Sequence, residues 1–155
     1  MLVASVAALR ASLPKGARLI GLDPGSKTIG VALSDVGLMI ASPYATLKRG
    51  RLTANAAEIA AIAAKEGAGG VVVGLPLSMD GTAGPAAQAA RDWASALAAA
   101  LGLPVALWDE RLSSAAVNRM LIGEADLTRA RRAAVVDKAA AAYMLQAALD
   151  ATRPG

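Results

Sequence analysis

Three carboxylates occupy places where an acidic side chain is unusual. Asp23 directly follows the short apolar run 19–22, and Glu110 ends the apolar run that starts at Val105. Asp137 shares its helical spacing with an otherwise apolar stripe, formed by Ala140, Ala141, Met144 and Ala148. A carboxylate on an apolar face is costly unless it is paired, hydrogen-bonded or bound to a metal. These three acids are therefore the first candidates for chemistry.

The composition limits what that chemistry can be, because the chain has no cysteine and no histidine. Disulfides, thiolate zinc sites, cysteine nucleophiles and Ser-His-Asp catalysis are excluded. Converging carboxylates form a hard-oxygen site that suits Mg²⁺ or Mn²⁺. Two such ions about 4 Å apart would stabilise the attacking and leaving oxygens of a phosphodiester. We therefore expect Asp23, Glu110 and Asp137 to be metal ligands and catalytic residues.

Each acid also has an ordinary structural interpretation. Asp23 would serve an Asp-Pro-Gly turn, where aspartate is common. Glu110 would form a surface ion pair with Arg111 or Lys138. Asp137 would be a first-turn acid favoured by the helix dipole if the helix began near Val135. Only the joint placement of the three acids favours the metal site.

The pattern of apolar residues predicts the element order β-β-β-α-β-α-β-α-α in a chain of 155 residues, the usual size of one domain. The first three strands form an antiparallel meander, and Pro43 favours an edge position for the third. The last two strands enter through helical crossovers and run parallel to the first. The predicted fold class is α/β, with a five-stranded mixed sheet flanked by helices. The predicted strands are 19–22, 28–34, 38–46, 71–73 and 105–108; the predicted helices start at Asn55, Pro85 and Ser113 or Ser114, the last covers at least 136–150, and 124–134 is the least regular segment.

This topology predicts where the acids meet. Sites in open α/β sheets form outside the carboxyl ends of the parallel strands. Asp23 and Glu110 both lie at such ends, and the fourth strand ends there with Gly74, which has no side chain to fill the space. Asp109 is a weaker candidate because it faces the opposite side of the sheet from Glu110.

The ends and charge of the chain give weaker indications. We interpret residues 1–17 as a short N-terminal extension of a domain formed by residues 18–155, and the extension lacks the basic start of a secretory signal. The apolar runs are too short or interrupted for a membrane span, so we expect a cytoplasmic protein. A net charge of +4 and a pI near 9.9 favour phosphate-rich partners weakly.

Four segments together resemble the YqgF/RuvX family of bacterial proteins related to Holliday junction resolvases. They occur in the family's order and spacing, and the resemblance covers about residues 18–150. The segments are 21–35 (GLDPGSKTIGVALSD), 73–82 (VGLPLSMDGT), 108–114 (WDERLSS) and 136–141 (VDKAAA).

The resemblance implies an RNase H-like fold and a nuclease whose acids are Asp23, Glu110 and Asp137. The implied activity is maturation of the 5′ end of pre-16S rRNA, with resolution of Holliday junctions in branched DNA as the alternative. The implied partners are nucleic acid and a precursor of the ribosomal subunit. A dimer would suit a two-fold junction, and a monomer would suit end trimming.

Several cations are candidates for contacts with substrate phosphates. A run of such charges is more usually a solvated face. Aromatic residues make up 3% of the chain and phenylalanine is absent, so shape and phosphate recognition are favoured over base stacking. The candidates are Lys27, Arg111, Arg129, Arg131, Arg132 and Lys138, and a second basic group is Lys48, Arg49 and Arg51.

Two other classes remain as alternatives. The Leu-Asp-Pro-Gly-Ser hairpin also resembles the phosphate-binding hairpin of the actin, Hsp70 and sugar-kinase superfamily, but that architecture needs two such domains and a second phosphate motif. A P-loop ATPase is disfavoured because the Gly-x-x-x-x-Gly-Lys-Ser/Thr pattern is absent. A non-catalytic nucleic-acid-binding module would keep the fold and lack the cleavage.

Overall fold

The computed structural model describes residues 1–75, 84–109 and 129–154, with the backbone alone for 129–137. These residues form five strands and four helices around one sheet. The strands are β1 (Arg18–Pro24), β2 (Thr28–Ser34), β3 (Ala41–Lys48), β4 (Ala68–Leu75) and β5 (Val105–Asp109). The helices are α1 (Val6–Ser12), α2 (Leu52–Glu66), α3 (Pro85–Leu101) and, in our numbering, α4 (Arg129–Ala151).

The sheet has the strand order β3-β2-β1-β4-β5. β1 pairs antiparallel with β2, and β2 pairs antiparallel with the edge strand β3. On the other side β1 pairs parallel with β4, which pairs parallel with β5. The predicted mixed sheet and its meander are therefore confirmed. The carboxyl ends of β1, β4 and β5 lie together at one end of the sheet.

The two faces of the sheet bury two separate cores because neighbouring strand residues point to opposite sides. In β1, Ile20 and Leu22 pack with α2 and α3, whereas Leu19 packs with α1 and α4. The β1 positions 19, 21 and 23 thus share the α4 face. Along α4, the residues that reach this core follow a helical spacing: Ala141, Met144, Leu145, Ala148 and Leu149.

Glycine and proline mark the helix ends where the sequence predicts them. Pro85 opens α3, and Gly102 ends it in the left-handed conformation. Gly67 ends α2 in the same way.

Three predicted boundaries are wrong. α2 begins at Leu52 rather than Asn55, and β3 occupies Ala41–Lys48 rather than 38–46, because 38–40 belong to the turn. Within the segment expected to be irregular, residues 129–134 are helical. The predicted helix from Ser113 or Ser114 lies outside the described residues.

The N-terminal residues pack closely on the sheet. Val6 and Leu9 of α1 are buried in the core beneath α4. The backbone N–H of Val3 donates to the carbonyl of Val105, and the N–H of Val105 donates to the carbonyl of Met1. Residues 1–3 thus cover the outer edge of β5. No helix within the described residues combines the length and apolar character that a membrane crossing requires.

Candidate active site

Asp23 lies within β1 and is buried, with 7% of its surface exposed. It stands opposite Gly30 of β2 in the antiparallel register. The turn that follows is closed instead by Gly25, whose N–H donates to the carbonyl of Thr28 at 2.8 Å. Asp23 is thus the last but one residue of β1, directly before this turn.

Glycines flank Asp23 on both neighbouring strands. Gly30 is its partner on β2. On the other side Leu22 pairs with Val73, so Gly74 is the next residue of β4 at the level of Asp23. A glycine leaves no side chain above the sheet on either side. On the face of the sheet that α4 covers, the surface on both sides of this carboxylate is therefore formed by the backbone of Gly30 and Gly74.

The packing of α4 on β1 shows how this helix runs relative to Asp23. A Cβ added to Gly21 would lie 2.8 Å from the Cβ of Leu145, so the helix contacts the strand backbone here. Farther along the helix, the side chain of Gln146 donates to the carbonyl of Met39 and accepts from the N–H of Ala41. Residues 39–41 lie at the opposite end of the strands from Asp23. The amino-terminal half of α4 therefore runs toward Asp23.

Asp137 lies eight residues after the start of α4 at Arg129. The interpretation of Asp137 as a first-turn acid is therefore wrong, because the dipole effect is confined to the first turn. The apolar stripe that shares its spacing is buried, with Ala140, Ala141, Met144 and Ala148 at most 1% exposed. The Asp137 side chain itself lies outside the described part of the chain.

At the end of β5, successive side chains alternate between the two faces. Trp108 packs with the core under α4. Its buried indole Nε1 has no hydrogen-bond partner among the described residues. Asp109 instead lines a recess of about 610 Å³ with Leu107 and with Arg91 of α3. Asp109 is thus on the α3 side of the sheet, and Glu110 lies outside the described residues.

The candidate phosphate-binding cations are only partly described. Lys27 is exposed at the tip of the β1–β2 hairpin, at the same end of the strands as Asp23. Lys138 is half-buried on α4. Arg111 lies outside the described residues, as do the side chains of Arg129, Arg131 and Arg132 in the first turn of α4. Among the side chains that the structure does describe, no group of three potential metal ligands occurs.

Arg49 is the residue whose position sequence reasoning missed. Its Nη1 donates to the carbonyl of Gly25 at 2.6 Å, and its backbone N–H donates to the carbonyl of Lys27 at 2.9 Å. Its guanidinium carbon lies 5.4 Å from the ring centroid of Trp93 on α3. The sequence shows Arg49 only as one of several cations near the end of β3, and no local spacing connects it to the hairpin or to Trp93.

Comparison with solved structures defines the class of the fold. The chain is similar to T. thermophilus RuvC in complex with a Holliday junction substrate, with a TM-score of 0.54 over 87% of this chain and 94% of that chain, at 19% identity. This similarity and the mixed sheet described above define an RNase H-like α/β fold.

Sequence comparison gives the family. The family described as "RuvX: Holliday junction resolvase" matches residues 17–151, and the chain belongs to this family. A protein of Gluconacetobacter diazotrophicus named "Putative pre-16S rRNA nuclease" is 68% identical over 93% of this chain and 94% of its own length. A protein of the same name from Acidiphilium cryptum is 68% identical over 92% of this chain and 89% of its own length.

Proposed function

We propose that this protein is a metal-dependent nuclease that hydrolyses phosphodiester bonds in pre-16S rRNA to form its 5′ end. The observation that carries the proposal is the position of Asp23: a buried carboxylate at the carboxyl end of β1, between Gly30 and Gly74, on the face covered by α4. The family membership and the names of the relatives support nucleic acid as the substrate.

The periodicity of β5 and α4 supports Glu110 and Asp137 as the other two acids. Trp108 packs on the α4 face, so continued strand alternation would give Glu110 the same face as Asp23. Along α4, Asp137 precedes Leu145 by two helical turns, about 12 Å, in the direction of Asp23. The three proposed ligands would thus approach the backbone of Gly30 and Gly74 from two strands and one helix.

The donor set fits Mg²⁺ or Mn²⁺, because all three groups are carboxylates and the chain has neither histidine nor cysteine. Asp23, Glu110 and Asp137 would hold the ions, and bound ions would supply an activated water and stabilise charge on the phosphodiester oxygens. The protein itself would orient these carboxylates, and the absence of side chains at Gly30 and Gly74 would leave room for the substrate backbone.

Branched DNA is the second candidate substrate. It is favoured by the family description as a Holliday junction resolvase and by the similarity to a RuvC bound to such a junction. Phosphate contacts alone do not distinguish the two substrates, since they carry little information about the sugar. The relatives at 68% identity are named for the rRNA activity, so we favour the RNA substrate.

The proposal is tested by cleavage assays on a 5′-extended 16S rRNA precursor and a four-way DNA junction, each with Mg²⁺, with Mn²⁺ and with EDTA. We expect metal-dependent cutting of the RNA, and a loss of more than about 10²-fold in Asp23→Asn, since changing even a residue that only supports a metal ligand costs about 10–100-fold in activity. Binding of the precursor should change little. Asp35→Asn is the matched control because Asp35 is an exposed acid of the β2–β3 turn.

Each other outcome has a defined meaning. Unchanged turnover in Asp23→Asn would overturn the assignment of Asp23. Cutting of the junction alone would replace the rRNA substrate with branched DNA. Binding of either substrate without cutting by the wild-type protein would indicate a non-catalytic module.

A further inference from the structure

We propose that Arg49, with the β1–β2 hairpin and α3, forms a second phosphate-binding subsite that receives a backbone phosphate of the substrate strand next to the cleaved one. This inference rests on the proposed function, because it takes nucleic acid as the ligand. It adds a binding residue that lies on none of the motifs used to recognise the family.

The Arg49 side chain is held in place before any ligand arrives. Its Nη1 donates to the Gly25 carbonyl at 2.6 Å, and its guanidinium carbon lies over the Trp93 ring, 5.4 Å from the ring centroid. The second distance is within the range of a cation–π contact, about 6 Å. A guanidinium has five N–H donors in a fixed fork, so these contacts orient it and leave donors for a ligand.

The backbone that carries Arg49 is fixed as well. Asn55 of α2, only 1% exposed, accepts from the N–H of Gly50 at 2.9 Å and donates to the carbonyl of Lys48 at 3.0 Å. The N–H of Arg49 is bonded to the Lys27 carbonyl. A buried amide thus pins the residues on both sides of Arg49, which lowers the entropy lost when the side chain binds.

A cavity of about 230 Å³ opens beside this guanidinium. The space is large compared with the roughly 30 Å³ that a water molecule occupies in the liquid. Its lining offers one cation, one hydroxyl, one indole ring and small apolar residues, and the described lining contains no carboxylate. The lining residues are Pro24, Gly25, Ser26, Arg49, Ala86, Ala89, Ala90 and Trp93.

The location and the charge favour a phosphate as the occupant. Gly25 lies two residues beyond Asp23, a span of at most about 7 Å of extended chain. The exposed Lys27 on the same hairpin adds a second positive charge. Arginine binds phosphate through two parallel hydrogen bonds, which suits a fixed and partly enclosed guanidinium. Asp23 lies on the α4 face of the sheet and the cavity on the α3 face, so a strand cut at Asp23 would cross the hairpin to reach the cavity.

The test is the salt dependence of binding of a labelled single-stranded RNA that spans the precursor 5′ end, measured in EDTA so that no cutting occurs. Loss of one phosphate contact lowers the slope of log K against log salt by about 0.7 for a single strand. We expect that change in Arg49→Met. The matched control is Arg51→Met, which removes the same charge from an exposed side chain that makes no capping hydrogen bond.

Arg49→Lys separates phosphate binding from a structural role. Lysine keeps the charge but not the fork, so we expect the wild-type slope with about fivefold to tenfold weaker binding. If Arg49 served only to hold the β1–β2 hairpin in place, both Arg49 variants would bind RNA more weakly with an unchanged salt slope. That result, or equal slopes for Arg49→Met and Arg51→Met, would overturn the proposal.

Two further comparisons keep the test decisive. If Arg49→Met does not fold, Arg49→Lys is compared with Arg51→Lys, and equal affinities would contradict the subsite. Because the slope is measured without cutting, a wild-type protein that binds and never cuts would refute only the nuclease. A protein that cuts normally while its Arg49→Met slope is unchanged would refute only the subsite.

Discussion

At the scale of single residues, the site depends on positions that have no side chain. Gly30 and Gly74 flank Asp23, and Gly21 lets α4 approach β1. A carboxylate surrounded by leucines would lie among bulky side chains, whereas the nearest residues on the two strands beside Asp23 have none. The glycines of β1, β2 and β4 thus shape the site as much as the acid does.

Gly21→Ala tests the closeness of α4 to β1. The new methyl group would lie 2.8 Å from the Cβ of Leu145, closer than real Cβ contacts, so strand or helix must shift. We expect the free energy of unfolding to fall by about 1–3 kcal/mol, the usual cost of overpacking, as measured by urea denaturation.

Gly50→Ala is the control for that variant, because a Cβ at Gly50 meets nothing within 4 Å. A double variant that adds Leu145→Gly, which removes the Cβ of residue 145, should be less destabilised than the sum of the two single changes, since the clash is then relieved. Additive losses would show that Gly21 and Leu145 do not share a contact.

Asp35 gives a prediction about pH. Its Oδ1 accepts from the backbone N–H groups of Ile40 (3.0 Å) and Met39 (2.8 Å), and these bonds hold the pKa of the carboxyl below its usual range. A lowered folded-state pKa stabilises the protein above the unfolded value, about 3.9, and this stabilisation is lost as the pH falls through the folded value.

We therefore expect the stability advantage of the wild type over Asp35→Asn to shrink as the pH is lowered below about 4. Urea denaturation between acid and neutral pH measures it, and an NMR titration of Asp35 should give a midpoint below that of an unfolded reference peptide. An advantage that grows on acidification would contradict the role given to these hydrogen bonds.

At the scale of elements, α4 matters most because it carries Asp137 and packs on β1, β2 and β3. Gln146 fastens its carboxyl-terminal half to the sheet: its amide donates to the Met39 carbonyl at 2.9 Å and accepts from the Ala41 N–H at 2.8 Å. These two bonds join the helix to the backbone at the start of the edge strand.

Gln146→Met removes both bonds and keeps the length of the side chain. We expect a loss of about 1–3 kcal/mol in the free energy of unfolding, because the Ala41 N–H loses a partner in a partly buried place. Gln88→Met is the matched control, since Gln88 is an exposed residue of α3 whose side-chain amide, among the described residues, bonds only Asp92 in the next turn. Equal losses in the two variants would show that Gln146 does not fasten the helix.

The sequence predicts the strands and the helix ends that depend on local chemistry, and it fails where one residue serves a distant partner. Asn55 and Glu58 have the spacing of a helix start, but Asn55 lies inside α2, where its side chain bonds Glu58, Lys48 and Gly50 across the β3–α2 connection. The same polar pair therefore serves a tertiary contact. Spacing alone does not distinguish the two uses.

The start of α4 was missed for a different reason. Residues 129–134 are three arginines and three alanines and lack an apolar stripe, so the amphipathic pattern begins only near Val136. Arginine and alanine are strong helix formers, and here propensity extends the helix beyond its buried part. The sequence predicts that Asp137 lies in this helix, which is confirmed. Its distance from the first turn is not predictable without the observed start of the helix at Arg129.

At the scale of the whole molecule, we expect residues 1–17 to fold and unfold together with the rest of the chain. Leu9 of α1 is fully buried, and its Cδ1 would lie 2.7 Å from a Cβ placed on Gly70 of β4. Arg10 donates to the carbonyl of Leu149 at 2.9 Å, near the end of α4. The N-terminal segment thus contacts the first parallel strand pair and the last helix together.

Leu9→Ala measures this coupling. Truncating a fully buried leucine costs about 2–5 kcal/mol, and if the segment folds with the domain, that loss must appear in the unfolding of the whole chain. Both tryptophans, Trp93 and Trp108, lie outside the segment, so their fluorescence during urea denaturation reports on the domain. We expect one transition with a lower midpoint in Leu9→Ala and a change within about 0.5 kcal/mol in the half-exposed control Leu2→Ala. An unchanged tryptophan midpoint in Leu9→Ala would instead show that α1 folds separately, and the domain would then begin near Arg18.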